Sequence, residues 1–301
     1  MLRDIISTGG FNTSSQIIIF IVEIVIARIL IPSDFGVFAI SLMIIELFSI
    51  LSFKSLGMAF IQNNNTTDKD LGSIVVITLV TSLMFVGCSI YVVGHIFNYV
   101  GGELLEQSYF IMAWLIPIIT VQDVYRLALL KKKYFWQVGA AELISVIVYA
   151  LIIVTMAFNE FGLYSLVCGY IGRQLVKLTI ILYLISKEYE LILRYSTASV
   201  SKFIRMSIAL TIQNIFRYSS TNTDRYFVTL AGGASGVGLY TRSLKLLKMP
   251  LNQIVRSISA VLYVDFSKKQ NEIKYLTRVF CITTFILAML FIPVSAIVII
   301  Y

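Results

Sequence analysis

The sequence predicts an all-α, polytopic membrane protein with about nine transmembrane helices. Two compositional facts and one pattern carry that prediction. Hydrophobic residues make up 58% of the 301 positions, and mean hydropathy is +0.88. Charged residues make up 13%, against roughly 25% in ordinary soluble domains. So few charges cannot give a core of this size a wetted shell, which excludes a soluble globular enzyme and a disordered chain. The pattern is a series of continuous apolar runs of about 20 residues, the length a helix needs to cross a bilayer. Barrel strands would be about half as long and would alternate.

The runs, bounded by charge clusters, define the elements in order. Span one covers residues 11–29 and span two 36–53, joined by a connector in which Pro32 cannot continue a helix. Ser33 or Asp34 is a good N-cap for span two. Spans three to six cover 71–94, 108–127, 138–158 and 162–185. Span seven, 203–231, is unusually polar. Span eight covers 237–262, and span nine begins near Val279 and is still running at Tyr301, as a truncated chain would look. Pro117 and Pro250 fall inside spans four and eight, where broken helix geometry is tolerated beside a cavity. The longest linker, 186–202, holds Glu188, Glu190 and a Ser/Thr run and reads as a lobe boundary. Two units follow: a six-helix lobe over 1–190 and an incomplete three-helix lobe over 191–301.

Loop charge sets the orientation. With the N-terminus in the cytoplasm, fifteen of the 24 basic residues lie in inner segments and one, Arg28, in an outer loop, as the positive-inside rule requires. The first apolar run lacks a small-residue cleavage site and leads into further spans, so no cleavable signal is expected. Cys88, Cys168 and Cys281 are odd in number, sit in apolar stretches and have no metal spacing, which argues against a disulfide framework or a metal centre. His95 is a lone residue at a segment end. No ATP-binding loop or nucleophile motif occurs, and no soluble domain is present.

Eight basic residues remain inside spans: Arg173, Lys177, Arg217, Arg225, Arg242, Lys245, Lys248 and Arg256. They are joined by Glu23, Glu46, Asp123, Glu142 and Asp224. Each Arg or Lys at a helix centre costs ~3 kcal/mol on insertion scales, so these side chains must face one another or a hydrated cavity. Helical spacing places Arg242, Lys245, Asn252 and Arg256 on one arc of span eight, and Arg173 and Lys177 share a face of span six. Arg217 and Asp224 share a face of span seven. Ion pairing between helices is the plain alternative, with Glu23, Glu46 and Asp224 as partners for the span-eight cations. Eight bases against five acids still leave a positive excess. The expected picture is a bundle around a net cationic cavity, with Arg217, Arg242, Lys245, Arg256 and Arg173 as candidate substrate-binding residues. Such a cavity suits phosphate oxygens. A cation exporter would need the opposite sign. A membrane glycan polymerase or ligase would need larger outer loops than this chain has.

An internal repeat is visible between the two outer connectors. Ser33-Asp-Phe-Gly-Val-Phe38 aligns with Ser235-Gly-Val-Gly-Leu-Tyr240, matching a serine, a glycine and an aromatic six spans apart in the same orientation, as in parallel transporter repeats. Ala27-Arg-Ile-Leu-Ile-Pro-Ser-Asp-Phe-Gly36 followed by Leu56-Gly-Met-Ala-Phe-Ile-Gln62 resembles the N-terminal signature of polysaccharide-unit flippases. These are Wzx-type O-antigen exporters of the multidrug/oligosaccharidyl-lipid/polysaccharide exporter superfamily. Asp224 and the run from Gly232 to Pro250 look like that family's helix seven–eight region. The resemblance implies a two-lobe, MATE-like architecture and alternating access. It implies flipping of undecaprenyl-pyrophosphate-linked oligosaccharide across the bacterial inner membrane for O-antigen, capsule or exopolysaccharide synthesis. The implied partners are that substrate, membrane lipids, H+ or Na+ as coupling ion and polysaccharide polymerase machinery. No cofactor, metal, nucleic acid or enzymatic activity is expected. Relatives carry twelve to fourteen spans, so nine spans would leave the second lobe incomplete.

Overall fold

The computed structural model describes the backbone of residues 2–63, 66–100, 102–190 and 195–268, with isolated positions beyond. Side chains are described over the same chain between residues 10 and 245, apart from 64–65, 96–101, 191–194 and 198–199. Span nine lies largely outside the described residues. The described secondary structure is helical throughout: α1 (Leu2–Ile26), α2 (Pro32–Leu51), α3 (Leu56–Gln62), α4 (Asp68–Val100), α5 (Gly102–Ala113), α6 (Leu115–Lys131), α7 (Phe135–Phe158), α8 (Leu163–Glu188) and α9 (Thr197–Lys268). Five stretches within it are long and apolar enough to cross a membrane. Residues Met1–Leu246 form one compact unit and Leu247–Tyr301 a second.

The elements follow from local chemistry. Pro32 is the first residue of α2, with Ile31 as N-cap and no side-chain cap bond. This corrects the expectation that Ser33 or Asp34 caps the helix. The proline ring presets φ and its missing N–H is one that the first turn leaves unpaired in any case. Asp34 instead lies buried in the first turn, where its charge favours the positive end of the helix dipole. Predicted span four is broken at Trp114 into α5 and α6. Pro117 is the cause: it cannot donate to the carbonyl four residues back, and its ring crowds that carbonyl. The α3 turn, unmarked by any hydrophobic period, is held by Lys131, whose Nζ donates to the Phe60 and Asn63 carbonyls and to the Thr66 hydroxyl.

Helix α9 reverses direction at Gly233, the one non-helical position inside it, with φ +58°. Only glycine adopts that region without strain. Tyr240 donates from its hydroxyl to Asp224 at 2.7 Å, yet sixteen residues of straight helix would separate the two by ~24 Å. The chain therefore folds back at Gly233, and the start of the second arm, as far as Leu246, runs antiparallel to the end of the first.

Packing divides into two clusters. One, toward the Pro32 and Gly233 connectors, holds Ile26, Phe35, Phe38, Met112, Ile153, Leu166 and Val237. The other, toward the α2–α4 linker, holds Leu56, Phe60, Val124, Leu129, Ile181 and Phe203. Met84, Leu151, Phe158 and Leu230 are exposed, as side chains facing lipid are. The first arm of α9 runs along α2 and α3: Thr211 and Asn214 both donate to the Ser55 hydroxyl, and Tyr218 donates to the Met43 carbonyl at 2.8 Å.

The two copies of the sequence repeat meet each other. A Cβ on Gly36 would overlap the carbonyl oxygen of Ala234 and come within 3.0 Å of the Ala234 Cα. A Cβ on Gly238 would overlap the carbonyl oxygen of Pro32 and stand 3.0 Å from the Gly36 nitrogen. Pro32 and Gly36 align with Ala234 and Gly238 in the repeat, so each glycine meets the counterpart of the residue its own counterpart meets. Such reciprocal contact is the signature of a local two-fold. Missing side chains at both glycines let the two backbones touch, the device that small residues supply between membrane helices.

Candidate substrate cavity

Beneath that crossing, Phe35, Phe38, Ala39, Leu42, Met43 and Glu46 recur at helical spacing and present one face of α2. Together with Arg225 of the first arm of α9 and Thr241, Arg242 and Lys245 of the second, they line a cavity of about 140 Å³. That volume holds about four or five waters. Three cations and one carboxylate look into it.

Each second-arm cation is partly engaged by α1. Lys245 Nζ lies 2.7 Å from the buried carboxylate of Glu23. Arg242 donates to the Ala27 carbonyl at 2.5 Å, and its guanidinium stacks 4.3 Å over the Phe35 ring. The Ala27 oxygen belongs to the turn that closes α1, where free carbonyls and the negative end of the dipole attract cations. Arg225 bonds through one terminal nitrogen to Asn222 at 3.1 Å, but its buried Nε has no partner. The buried hydroxyl of Thr241 also has none. Asp224 accepts hydrogen bonds from the Tyr240 hydroxyl and the Arg225 backbone amide. Glu46 is exposed and, among the described residues, makes no hydrogen bond or ion pair.

The sequence candidates fall in different places. Arg242 and Lys245 are together on the cavity wall. Arg217 is exposed and does not line the cavity. Arg173 lies on α8 beside Lys177, and both cations bind Glu142 of α7, at 2.5 and 2.8 Å. The side chains of Asn252 and Arg256 lie outside the described residues. Arg225, Glu46 and Thr241 are cavity residues that sequence reasoning did not select. The signal for Glu46 was available: it ends the stripe that Phe35 begins.

A second, open cleft lies at the opposite end, lined by Asp68 and residues 186–190. There Lys132 and Tyr134 both donate to Glu188. The Tyr189 hydroxyl reaches the Ala128 carbonyl at 3.3 Å, and burial pushes its phenol up to about 12. These contacts tie the linker to α6 and form no site of matched chemistry. Among the described residues no three His, Cys, Asp or Glu side chains gather in a way that could hold a metal ion.

Comparison with known proteins gives this geometry a family. A family model described as "Polysaccharide biosynthesis protein" matches residues 25–301. The succinoglycan biosynthesis transport protein ExoT of Rhizobium meliloti is 22% identical over 95% of this chain and 56% of its own length. The lipopolysaccharide biosynthesis protein WzxC of Escherichia coli is 25% identical over 82% of this chain and 50% of its own. A membrane protein in the cps region of Klebsiella pneumoniae is 25% identical over 90% of this chain and 57% of its own. The chain thus spans about half the length of the curated relatives it matches. No solved structure matches it. With its model running from residue 25 to residue 301, the chain belongs to the polysaccharide biosynthesis protein family.

Proposed function

We propose that the chain belongs to a translocator that flips undecaprenyl-pyrophosphate-linked oligosaccharide from the cytoplasmic to the outer leaflet of the bacterial inner membrane. In this reading the N-terminus is cytoplasmic, the Pro32 and Gly233 connectors face outward, and the helices form one lobe over 1–190 and part of another over 191–301. The observation that carries it is the sign of the cavity: Arg225, Arg242 and Lys245 against Glu46 on the wall and Glu23 behind Lys245, a net positive balance. A pyrophosphate brings about two negative charges, and charge-assisted bonds from arginine suit its oxygens. The cations already lie where they exchange a protein acceptor for a ligand oxygen, since Ala27 and Glu23 hold only one side of each. Arg256, Arg217 and Arg173 remain candidates for later stations along the route, and H+ or Na+ for the coupling ion. The rival reading, export of cationic drugs by the same architecture, requires a cavity of the opposite sign.

A binding measurement separates the two. Purified chain in detergent should gain thermal stability with a short-chain prenyl pyrophosphate, and Arg225→Ala with Arg242→Ala should lose that gain. A quaternary ammonium dye should give none. Stabilisation by the dye and not by the pyrophosphate would reverse the assignment.

A further inference from the structure

We infer that Glu46, Thr241 and the Nε of Arg225 form a subsite for the hydroxyl groups of the sugar next to the pyrophosphate. The inference rests on the anion-binding reading above. Its starting point is a carboxylate that should not be there. Among the acids the sequence puts in spans, Glu23 pairs with Lys245, Glu142 with Arg173 and Lys177, Asp123 with Arg126, and Asp224 binds Tyr240. Glu46 makes neither a hydrogen bond nor an ion pair among the described residues, although it lines the same cavity as three cations. An ionised carboxylate only accepts hydrogen bonds, and so does a phosphate. Glu46 therefore repels the pyrophosphate headgroup, and like charges facing each other cost affinity. Its presence in an anion cavity is explained if the same ligand also carries donors, and sugar hydroxyls are donors.

Two further atoms agree. Many hydroxyls in these helices turn back to the carbonyl four residues before, as Ser41, Thr78 and Thr120 do, while those of Ser15, Ser49 and Ser207 are buried without a partner away from the cavity. Thr241, 6% exposed, does not turn back: its hydroxyl is buried without a partner on the cavity wall. The Arg225 Nε is likewise buried and unpartnered. Buried polar groups in a folded protein are satisfied by protein, water or ligand; these two atoms are shielded from water although their residues line the cavity, so a ligand would reach them only on a small opening of that wall. An acceptor, a donor and a hydroxyl that is both match a hydroxyl-bearing ring, and Phe38 on the same wall supplies an apolar face for its C–H edge.

The test measures dissociation constants of the purified chain for two probes: a short-chain prenyl pyrophosphate and the same lipid carrying one hexose. In Glu46→Ala the hexosylated probe should bind about tenfold more weakly, and the bare pyrophosphate should bind equally or more tightly. Thr241→Val, which keeps shape and removes the hydroxyl, should weaken the hexosylated probe alone and keeps the test open if Glu46→Ala misfolds. Equal effects on both probes would overturn the sugar subsite while leaving the anion cavity standing. Failure of the wild type to bind either probe would overturn the anion reading and this inference with it. Stabilisation by Na+ alone, abolished by Glu46→Gln, would make Glu46 a cation ligand and refute the sugar assignment.

Discussion

Gly238→Ala sets two effects of opposite sign against each other. In a helix, alanine is favoured over glycine by ~1 kcal/mol. At residue 238, however, the new methyl would overlap the Pro32 carbonyl oxygen and stand 2.9 Å from its carbon and 3.0 Å from the Gly36 nitrogen. All of these are backbone atoms and cannot turn aside as a side-chain end can. Contact distance is ~3.5 Å, so the α2 turn and the second arm of α9 must separate by more than about 1 Å. Overpacking of that kind costs ~1–3 kcal/mol, and the overlap with a rigid backbone oxygen puts it toward the upper end, which leaves a net loss of up to about 2 kcal/mol after the helical gain. Gly36→Ala meets the Ala234 backbone in the same way, and by the reciprocal contact should cost a similar amount. Gly87→Ala, in α4 with nothing within 4 Å of the added carbon, should be neutral or stabilising. The assay is thermal unfolding of the purified protein in one detergent. A Gly238→Ala melting temperature at or above wild type, with Gly87→Ala unchanged, would refute the crossing.

Other perturbations test the ion pairs and the clasp. Lys245→Met strands the buried Glu23 carboxylate and should destabilise by about 1–3 kcal/mol, and adding Glu23→Gln should recover most of the loss in the same melting assay. Glu142→Gln leaves Arg173 and Lys177 side by side without their common acid; the set is partly buried, so the loss should be about 1–3 kcal/mol, and the folded yield in membranes should fall. Lys131→Met removes three hydrogen bonds from the end of α3, and limited proteolysis should then cut near Asn63 and Thr66 several-fold faster while the melting temperature falls by only a few degrees.

Much of this fold is legible from apolar run length alone, because lipid admits only helices and closed barrels and runs of about 20 residues are too long for barrel strands. Spans five and six match α7 and α8 closely, and the turn between spans seven and eight falls on the glycine-rich segment that was read as a connector. The misses have local causes. Pro117 was read as a place where broken helix geometry is tolerated within a span, and the α5–α6 break does fall inside the single apolar stretch Gly102–Lys131; its position at Trp114 was not legible. The seven residues of α3 are too few to show a period. At the cavity, Arg242 and Lys245 were legible from spacing along one helix. Glu46 could have been found as the end of the α2 stripe, but Arg225 and Thr241 could not, because what joins them to it is the packing of α2 against both arms of α9. The repeat was visible as a sequence match, but its meaning as a backbone crossing requires the three-dimensional contact.

Photo-cross-linking tests the cavity most directly. A hexosyl prenyl pyrophosphate carrying a diazirine on the sugar is added to membranes containing the chain, irradiated, and the modified peptides are identified by mass spectrometry. Labels should fall on the α2 stripe from Phe35 to Glu46 and on α9 around Arg225 and Thr241, and unlabelled prenyl pyrophosphate should compete them away. Labels confined to α7 and α8 around Glu142 and Arg173, or labelling that excess pyrophosphate lipid leaves unchanged, would contradict a headgroup site between α2 and α9.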